Sequence, residues 1–383
     1  MTPSGRIERW RRDAHQRLGE SLFRMARADF ERGRSTSTSR GDAAAKLFAW
    51  GIVLTPYLIM AGGLFWISVG FPNLATLIFG SIFVAVGLYA MPRRPKLEDG
   101  WFDRAQLPEL FALTDLVAER LGAQPLTRIY LPEDYIAYYT ELRGERVMGF
   151  GLALWSIATP QERISIIAHE LAHQVNGDQT RTGVLAKALE TLGRWYDLVE
   201  DTTLIDHEGY LLRERGAEDF IAGGIMGIAR GLIELIWLAL MRLYYADSQR
   251  AEYLADALST RAGGVKPMQS MLAKLALTSL IHAEVRDMVP SYVENGKAFY
   301  ARIAAAANDA DDAKRSKLFD EMVEEGHSVD MSHPPTFQRI SFLADIPEPE
   351  QEAVTYPGAA LDEEMSPHIE RSGRKVLSDL EVQ

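Results

Sequence analysis

Apolar and polar positions alternate along this chain in three distinct ways, and each predicts a different kind of element. From Leu47 to Pro92 there is no charged residue at all. Two apolar stretches, Leu47 to Val69 and Leu74 to Met91, flank the turn-like Gly70-Phe71-Pro72-Asn73. Each is close to the roughly 20 residues that cross a bilayer as a helix, so positions 47–91 are expected to form a transmembrane helical hairpin. Trp50, Trp66, Tyr57 and Tyr89 are the aromatics available to its interfaces. The alternative is a helical hairpin buried in a soluble core.

The second pattern is extended. Arg128 to Pro132, Tyr135 to Leu142 and Val147 to Leu154 are short runs rich in β-branched and aromatic residues, the last two separated by Arg143-Gly144-Glu145. They predict a small sheet. The third is helical. Ile164, Ile167, Ala168, Leu171, Ala172 and Val175 recur at three- and four-residue spacing, which predicts a largely buried helix. Thr159 is placed to cap it, Pro160 to occupy its first position and Glu162 to complete a capping box. Asn176-Gly177 is placed to end it.

Elsewhere the pattern is less decisive. Ile7, Trp10, Ala14, Leu18, Leu22 and Met25, interleaved with arginines, make residues 1–46 a basic amphipathic segment suited to an anionic membrane surface or to packing on the rest of the protein. A third apolar stretch, Phe220 to Tyr245, is interrupted by Arg230, Glu234 and Arg242. A long buried or membrane-adjacent helix is favoured there over a full span. Residues 304–330 read as a loop or helix insertion. Beyond Ile346 the chain turns Pro- and Glu-rich, and 346–383 is expected to be an acidic, flexible tail.

The predicted buried helix carries chemistry. His169-Glu170-Leu171-Ala172-His173 places two imidazoles one turn apart on one helix face, the geometry of a catalytic zinc site. Glu170 stands where a general base toward a zinc-bound water would stand. Such a site needs one more protein ligand. The chain has eight His and no Cys, which excludes thiolate ligands. The best candidate is Glu252, with Asp256 one turn further along the same predicted helix and suited to orient a ligating imidazole. Taken alone, a Glu and an Asp at this spacing read as a solvated helix face.

These residues carry a family resemblance. The run from His169 to Asp178 resembles the M48 peptidases, especially their HtpX-like branch, in which the histidine motif is followed by Asn-Gly-Asp. Glu252-Tyr253-Leu254-Ala255-Asp256 is similar to that family's segment bearing the glutamate ligand, and Ser332-His333-Pro334-Pro335 with Arg339-Ile340 to its C-terminal signature. The resemblance implies zinc, one per chain, held by His169, His173 and Glu252, with Glu170 as base. It implies that His333 hydrogen-bonds the oxyanion, with Arg339 nearby to orient or add charge, and that Asp256 and Asp178 support the site. One departure stands out: the family has Arg three residues before the glutamate, where this chain has Gln249.

Charge sets the remaining bounds. The formal net charge is −12, yet residues 1–46 hold eleven Lys or Arg against six acidic residues. The acidic remainder argues against nucleic acid as a partner. Basic flanks on both sides of the hairpin, including Arg93, Arg94 and Lys96, predict that the N-terminus and the protease domain face the cytoplasm. The fold class expected is mainly α with a small β-sheet (α+β): a zincin-like metallopeptidase domain over 92–345 behind the membrane hairpin. The function expected is a membrane-anchored zinc endopeptidase in quality control of membrane or misfolded polypeptides, with those polypeptides and the lipid bilayer as partners. Two rivals remain, a catalytically weak membrane adaptor and a dedicated peptide-processing protease.

Overall fold

The computed structural model describes residues 24, 27–28, 40–93, 100–199, 217–275, 277–288, 290, 293–309 and 334–381. In chain order the elements are α1 (Arg40–Gly70), α2 (Leu74–Ala90), α3 (Pro108–Leu121), β1 (Arg128–Tyr130), β2 (Ala137–Leu142), β3 (Glu145–Phe150), α4 (Leu152–Ile157), α5 (Pro160–Asn176) and α6 (Asp178–Val199). They continue with α7 (Ala217–Gly263), α8 (Val265–Leu275), α9 (Thr278–Asp287), α10 (Gly296–Asn308), α11 (Thr336–Ala344) and α12 (Ala359–Glu381). The chain is mainly helical with one small sheet, as expected. It divides into two compact units. One holds Lys96–Gln179 and Ser248–Gln383, the other Thr38–Pro95 and Thr180–Asp247.

In the second unit, α1 and α2 form the expected hairpin. Within α1, Ala45–Gly70 is long and apolar enough to cross a membrane, the only such segment among the described residues, whereas α2 is apolar but shorter, at 17 residues. The two helices meet through glycines. A methyl group at Gly63 would come within 2.6 Å of the Gly80 carbonyl, and one at Gly87 within 2.6 Å of the Pro56 carbonyl. Small residues there let the backbones approach. The outward faces stay apolar: Leu58, Phe65, Val69 and Leu74 are each about 70 % exposed. The base of α1 (Ala49, Ile52, Val53) packs with Leu185, Ala188 and Leu192 of α6 and Leu240 of α7. The Phe220–Tyr245 stretch and the segment bearing Glu252, which the sequence pattern separates, are one 47-residue helix, α7.

The first unit is built around α5. Its apolar face (Ile164, Ile167, Ala168, Leu171, Ala172) is buried in one core with Leu110, Phe111, Leu113 and Val117 of α3 and with Phe150 and Trp155. The sheet runs β1-β3-β2, with β1 parallel and β2 antiparallel to β3. A two-residue turn links β2 to β3, both residues left-handed (Arg143 φ 54°, Gly144 φ 86°), which matches the twist of a tight hairpin. The third expected strand ends at Phe150, and Leu152 begins α4 instead. The outer edge of β1 is bridged by Phe102, whose amide donates to the Ile129 carbonyl at 2.7 Å. Among the described residues no strand pairs with the outer edge of β2.

The C-terminal segment departs from the expected flexible tail. Its last part is α12, which buries Leu361, Met365 and Leu377 in the main core. Two of its glutamates, and one before it, serve helices elsewhere. The Glu364 carboxylate accepts from the Glu109 and Leu110 amides at 2.8 and 2.9 Å, and Leu107, which precedes α3, offers no capping side chain. Glu370 accepts from the Lys297 amide at 2.9 Å and Glu348 from the Val265 amide at 3.1 Å. Helix N-termini carry unsatisfied amides and partial positive charge, and carboxylates answer both. Composition showed the acidic residues but not the helix ends that need them. Most of residues 1–46, and residues 310–330 of the predicted insertion, lie outside the described residues.

Candidate metal centre

The helix that presents the histidines begins and ends where its sequence says it should. Thr159 Oγ1 accepts from the Glu162 amide and Glu162 Oε2 accepts from the Thr159 amide at 2.7 Å, closing the capping box. Gly177, with φ 70°, ends α5 in the left-handed region. Glu162 is also buried against Lys274 Nζ at 2.8 Å and Ser270 Oγ at 2.6 Å. The cap therefore ties α5 to α8. Burial favours the neutral acid at Glu162, but Lys274, Ser270 and the Thr159 amide outweigh it and hold its pKa below the usual carboxylate range.

Two turns further along α5, His169 and His173 bring their Nε2 atoms to 3.2 Å. Glu252 enters from α7, with Oε2 at 3.4 Å from His169 Nε2 and Oε1 at 3.6 Å from His173 Nε2. The three residues form a group able to hold a metal ion, one donor atom from each lying within 4.8 Å of the others. Donors about 2.0–2.1 Å from a tetrahedral ion stand roughly 3.3–3.4 Å apart. The observed spacing is that of a ligand set. His169, Glu170 and Glu252 are buried, at 8, 9 and 4 % exposure, so water does not screen the group fully.

A second layer holds the donors. Asp256, one turn after Glu252 and fully buried, lies 3.1 Å from His169 Nδ1. Arg339, from α11, grips Asp256 with one edge of its guanidinium: Nε to Oδ2 at 2.8 Å and Nη2 to Oδ1 at 2.6 Å. Its Nη1 reaches Glu252 Oε2 at 3.0 Å. Burial pushes the His169 imidazole toward its neutral form, yet Asp256 and Glu252 prevail and raise its pKa to about 10. Burial would likewise raise Asp256, but Arg339 and His169 hold it low. The pocket is thus built to favour a cation beside these carboxylates, and a metal ion would displace a proton from it.

Most of the residues expected at the site converge. His169, His173, Glu252, Asp256 and Arg339 form one cluster, with Glu170 beside it on α5. Arg339 is committed to Asp256 and Glu252 rather than pointing a free charge at substrate. The guanidinium that meets Glu252 comes from Arg339 of α11. Asp178 is the first residue of α6. His333 lies outside the described residues. Sequence reasoning missed Gln174, next to His173. Its side-chain amide donates to the Tyr139 hydroxyl of β2 at 2.7 Å and to the Gln124 carbonyl at 3.3 Å. Its only sequence signal was its place just after the motif.

A helix with paired histidines, a carboxylate from a second helix and a small sheet beside them define a metallopeptidase-type centre. The sequence model for peptidase family M48 matches residues 120–346, more than half of the chain. The chain belongs to that family. Among curated proteins it is similar to the protease HtpX homolog of Pyrobaculum calidifontis, 27 % identical over 80 % of this chain and 90 % of that protein. The protease HtpX homologs of Pyrobaculum aerophilum and Pyrobaculum islandicum are each 26 % identical, over 62 and 70 % of this chain and 68 and 77 % of their own lengths. No solved structure matches.

Proposed function

We propose that this chain is a membrane-anchored, zinc-dependent endopeptidase whose catalytic unit faces the cytoplasm. The observation that carries the reading is the ligand-like spacing of His169, His173 and Glu252, with Glu170 adjacent. Their two nitrogens and one carboxylate oxygen suit zinc, which when bound polarises a carbonyl and acidifies water. Glu170 takes a proton from the attacking water and delivers it to the leaving amine. Asp256 fixes the His169 ring through Nδ1, and Arg339 fixes the two carboxylates. Asp178, at the start of α6, is carried as a supporting residue by resemblance. His333 is carried as the donor to the developing oxyanion, also by resemblance. A substrate in extended form adds to the open edge of β2, so recognition runs mainly through backbone hydrogen bonds.

The anchoring rests on the 26-residue apolar segment Ala45–Gly70 and on the exposed apolar faces of α1 and α2. A patch of that size is costly in water and suits lipid. The basic flanks orient it by the positive-inside rule. The named relatives are proteases, and turnover of membrane or misfolded polypeptides is the role that family resemblance supports. The peptidase domain then covers 92–345 and gains α12.

The test is zinc content and casein cleavage by the full chain in detergent, wild type beside Glu170→Gln. One zinc per chain in both, with cleavage in the wild type alone, is expected. Zinc without cleavage in either would favour the adaptor. Absence of zinc after reconstitution would overturn the metal centre.

A further inference from the structure

We infer that Gln174 is a positioning residue for extended substrates, acting through Tyr139 to set the distance between the open strand edge and the metal centre. This rests on the peptidase reading above and extends it to a residue that the histidine motif does not include. On α5, Gln174 follows His173 by one position, about 100° round the helix, so that it turns toward β2 while His173 turns toward the metal group. Its amide nitrogen donates to the Tyr139 hydroxyl at 2.7 Å, and that hydroxyl donates in turn to Glu141 Oε1 at 2.8 Å. The phenol oxygen is thus held as acceptor and as donor, and Tyr139 is 5 % exposed. Gln174 Oε1 also takes the Gln124 amide at 2.5 Å, which fixes the turn leading into β1.

The consequence is geometric. Among the described residues β2 pairs with a strand, β3, on one side, and Gln174–Tyr139 joins its middle to the last turn of the helix that carries His169 and His173. A polypeptide added to that edge therefore reaches the metal centre at a distance set by this contact. Gln174→Leu and Tyr139→Phe take away polar atoms only, so the apolar packing of the ring and of α5 stays in place. Misplacement of a reacting bond by about 1 Å costs on the order of 100-fold in rate. A short substrate that does not reach the strand avoids that dependence.

The test compares Gln174→Leu, Tyr139→Phe and the double variant with wild type, all as the full chain in detergent. Two probes are used: an unstructured decapeptide and a blocked dipeptide amide. The expected result is a loss of roughly 10- to 100-fold in kcat/KM on the decapeptide, chiefly in kcat. The dipeptide amide should be hardly affected, and zinc content and thermal midpoint should match wild type. The double variant should lose less than the product of the two single losses, because the Gln174–Tyr139 contact is shared by both changes. Equal losses on both probes, unchanged kinetics on the decapeptide, or a loss that follows reduced zinc would each overturn the positioning role. A wild-type protein that cleaves neither probe would instead overturn the peptidase reading on which it rests.

Discussion

Asp256 Oδ1 lies 3.1 Å from Nδ1 of His169, on the side of the ring opposite the nitrogen that faces His173. A carboxylate in that position fixes the tautomer, leaving Nε2 as the lone-pair donor, and raises its basicity. Asp256→Asn keeps the shape but weakens both effects. Zinc affinity is expected to fall roughly 10- to 100-fold, measured by competition with a chelator. Unchanged affinity would show that the ring is oriented by packing alone.

Arg339 is the cation that lets two carboxylates be buried together. It is 6 % exposed, bidentate to Asp256 and 3.0 Å from Glu252. Arg339→Met removes the charge while keeping apolar bulk. Losing one member of such a buried group costs about 3–5 kcal/mol. Zinc would restore part of the positive charge beside Glu252. The fall in thermal midpoint is therefore expected to be larger in chelator-treated protein than in zinc-loaded protein. Equal falls in the two would argue that Arg339 stabilises the fold independently of the metal group.

The helix that carries His169 and His173 was legible because all its signals are local. Thr159, Pro160, Glu162 and Gly177 mark its ends, and the 3.6-residue period marks its buried face. The pairing of His169 with His173 follows from the same period. Glu252 was reachable because the paired histidines need a third ligand, which lifts a glutamate–aspartate pair above its plain reading as a solvated helix face. What the sequence could not show is contact between distant segments. That Arg339 meets Asp256 across 83 residues, or Gln174 meets Tyr139 across 35, depends on how helices and sheet pack. The continuity of α7 was hidden because its apolar pattern stops at Tyr245, and the polar run Asp247 to Arg250 interrupts the pattern without breaking the helix.

Glu162 links stability to pH. Its folded pKa is depressed, with Lys274, the Ser270 hydroxyl and the Thr159 amide outweighing burial. A depressed carboxylate contributes stability that is complete above its unfolded pKa, near 4.3. That contribution disappears as pH falls through the lower folded value. Glu162→Gln is expected to be less stable than wild type at pH 7. The gap in thermal midpoint should narrow as pH drops from about 5 toward 3. A gap that stays constant over that range would mean that the ionised form of Glu162 contributes nothing beyond its hydrogen bonds.

The C-terminal segment gives the sharpest contrast between composition and structure. A flexible acidic tail could be removed with little effect on the rest of the chain. The structure makes the opposite prediction, because α12 buries Leu361, Met365 and Leu377 and carries the Glu364 carboxylate that caps α3. A chain ending at Tyr356 should lose the cap, expose the apolar face of α10 and aggregate, or unfold at a much lower temperature than the full chain. Glu364→Gln isolates the smaller part of this effect. A lost N-cap costs about 0.5–2 kcal/mol, and its amide substitute keeps one acceptor but no charge. The point variant should therefore fold and retain zinc while losing a few degrees in thermal midpoint. A truncated chain with wild-type stability and cleavage would return residues 357–383 to the status of a dispensable tail.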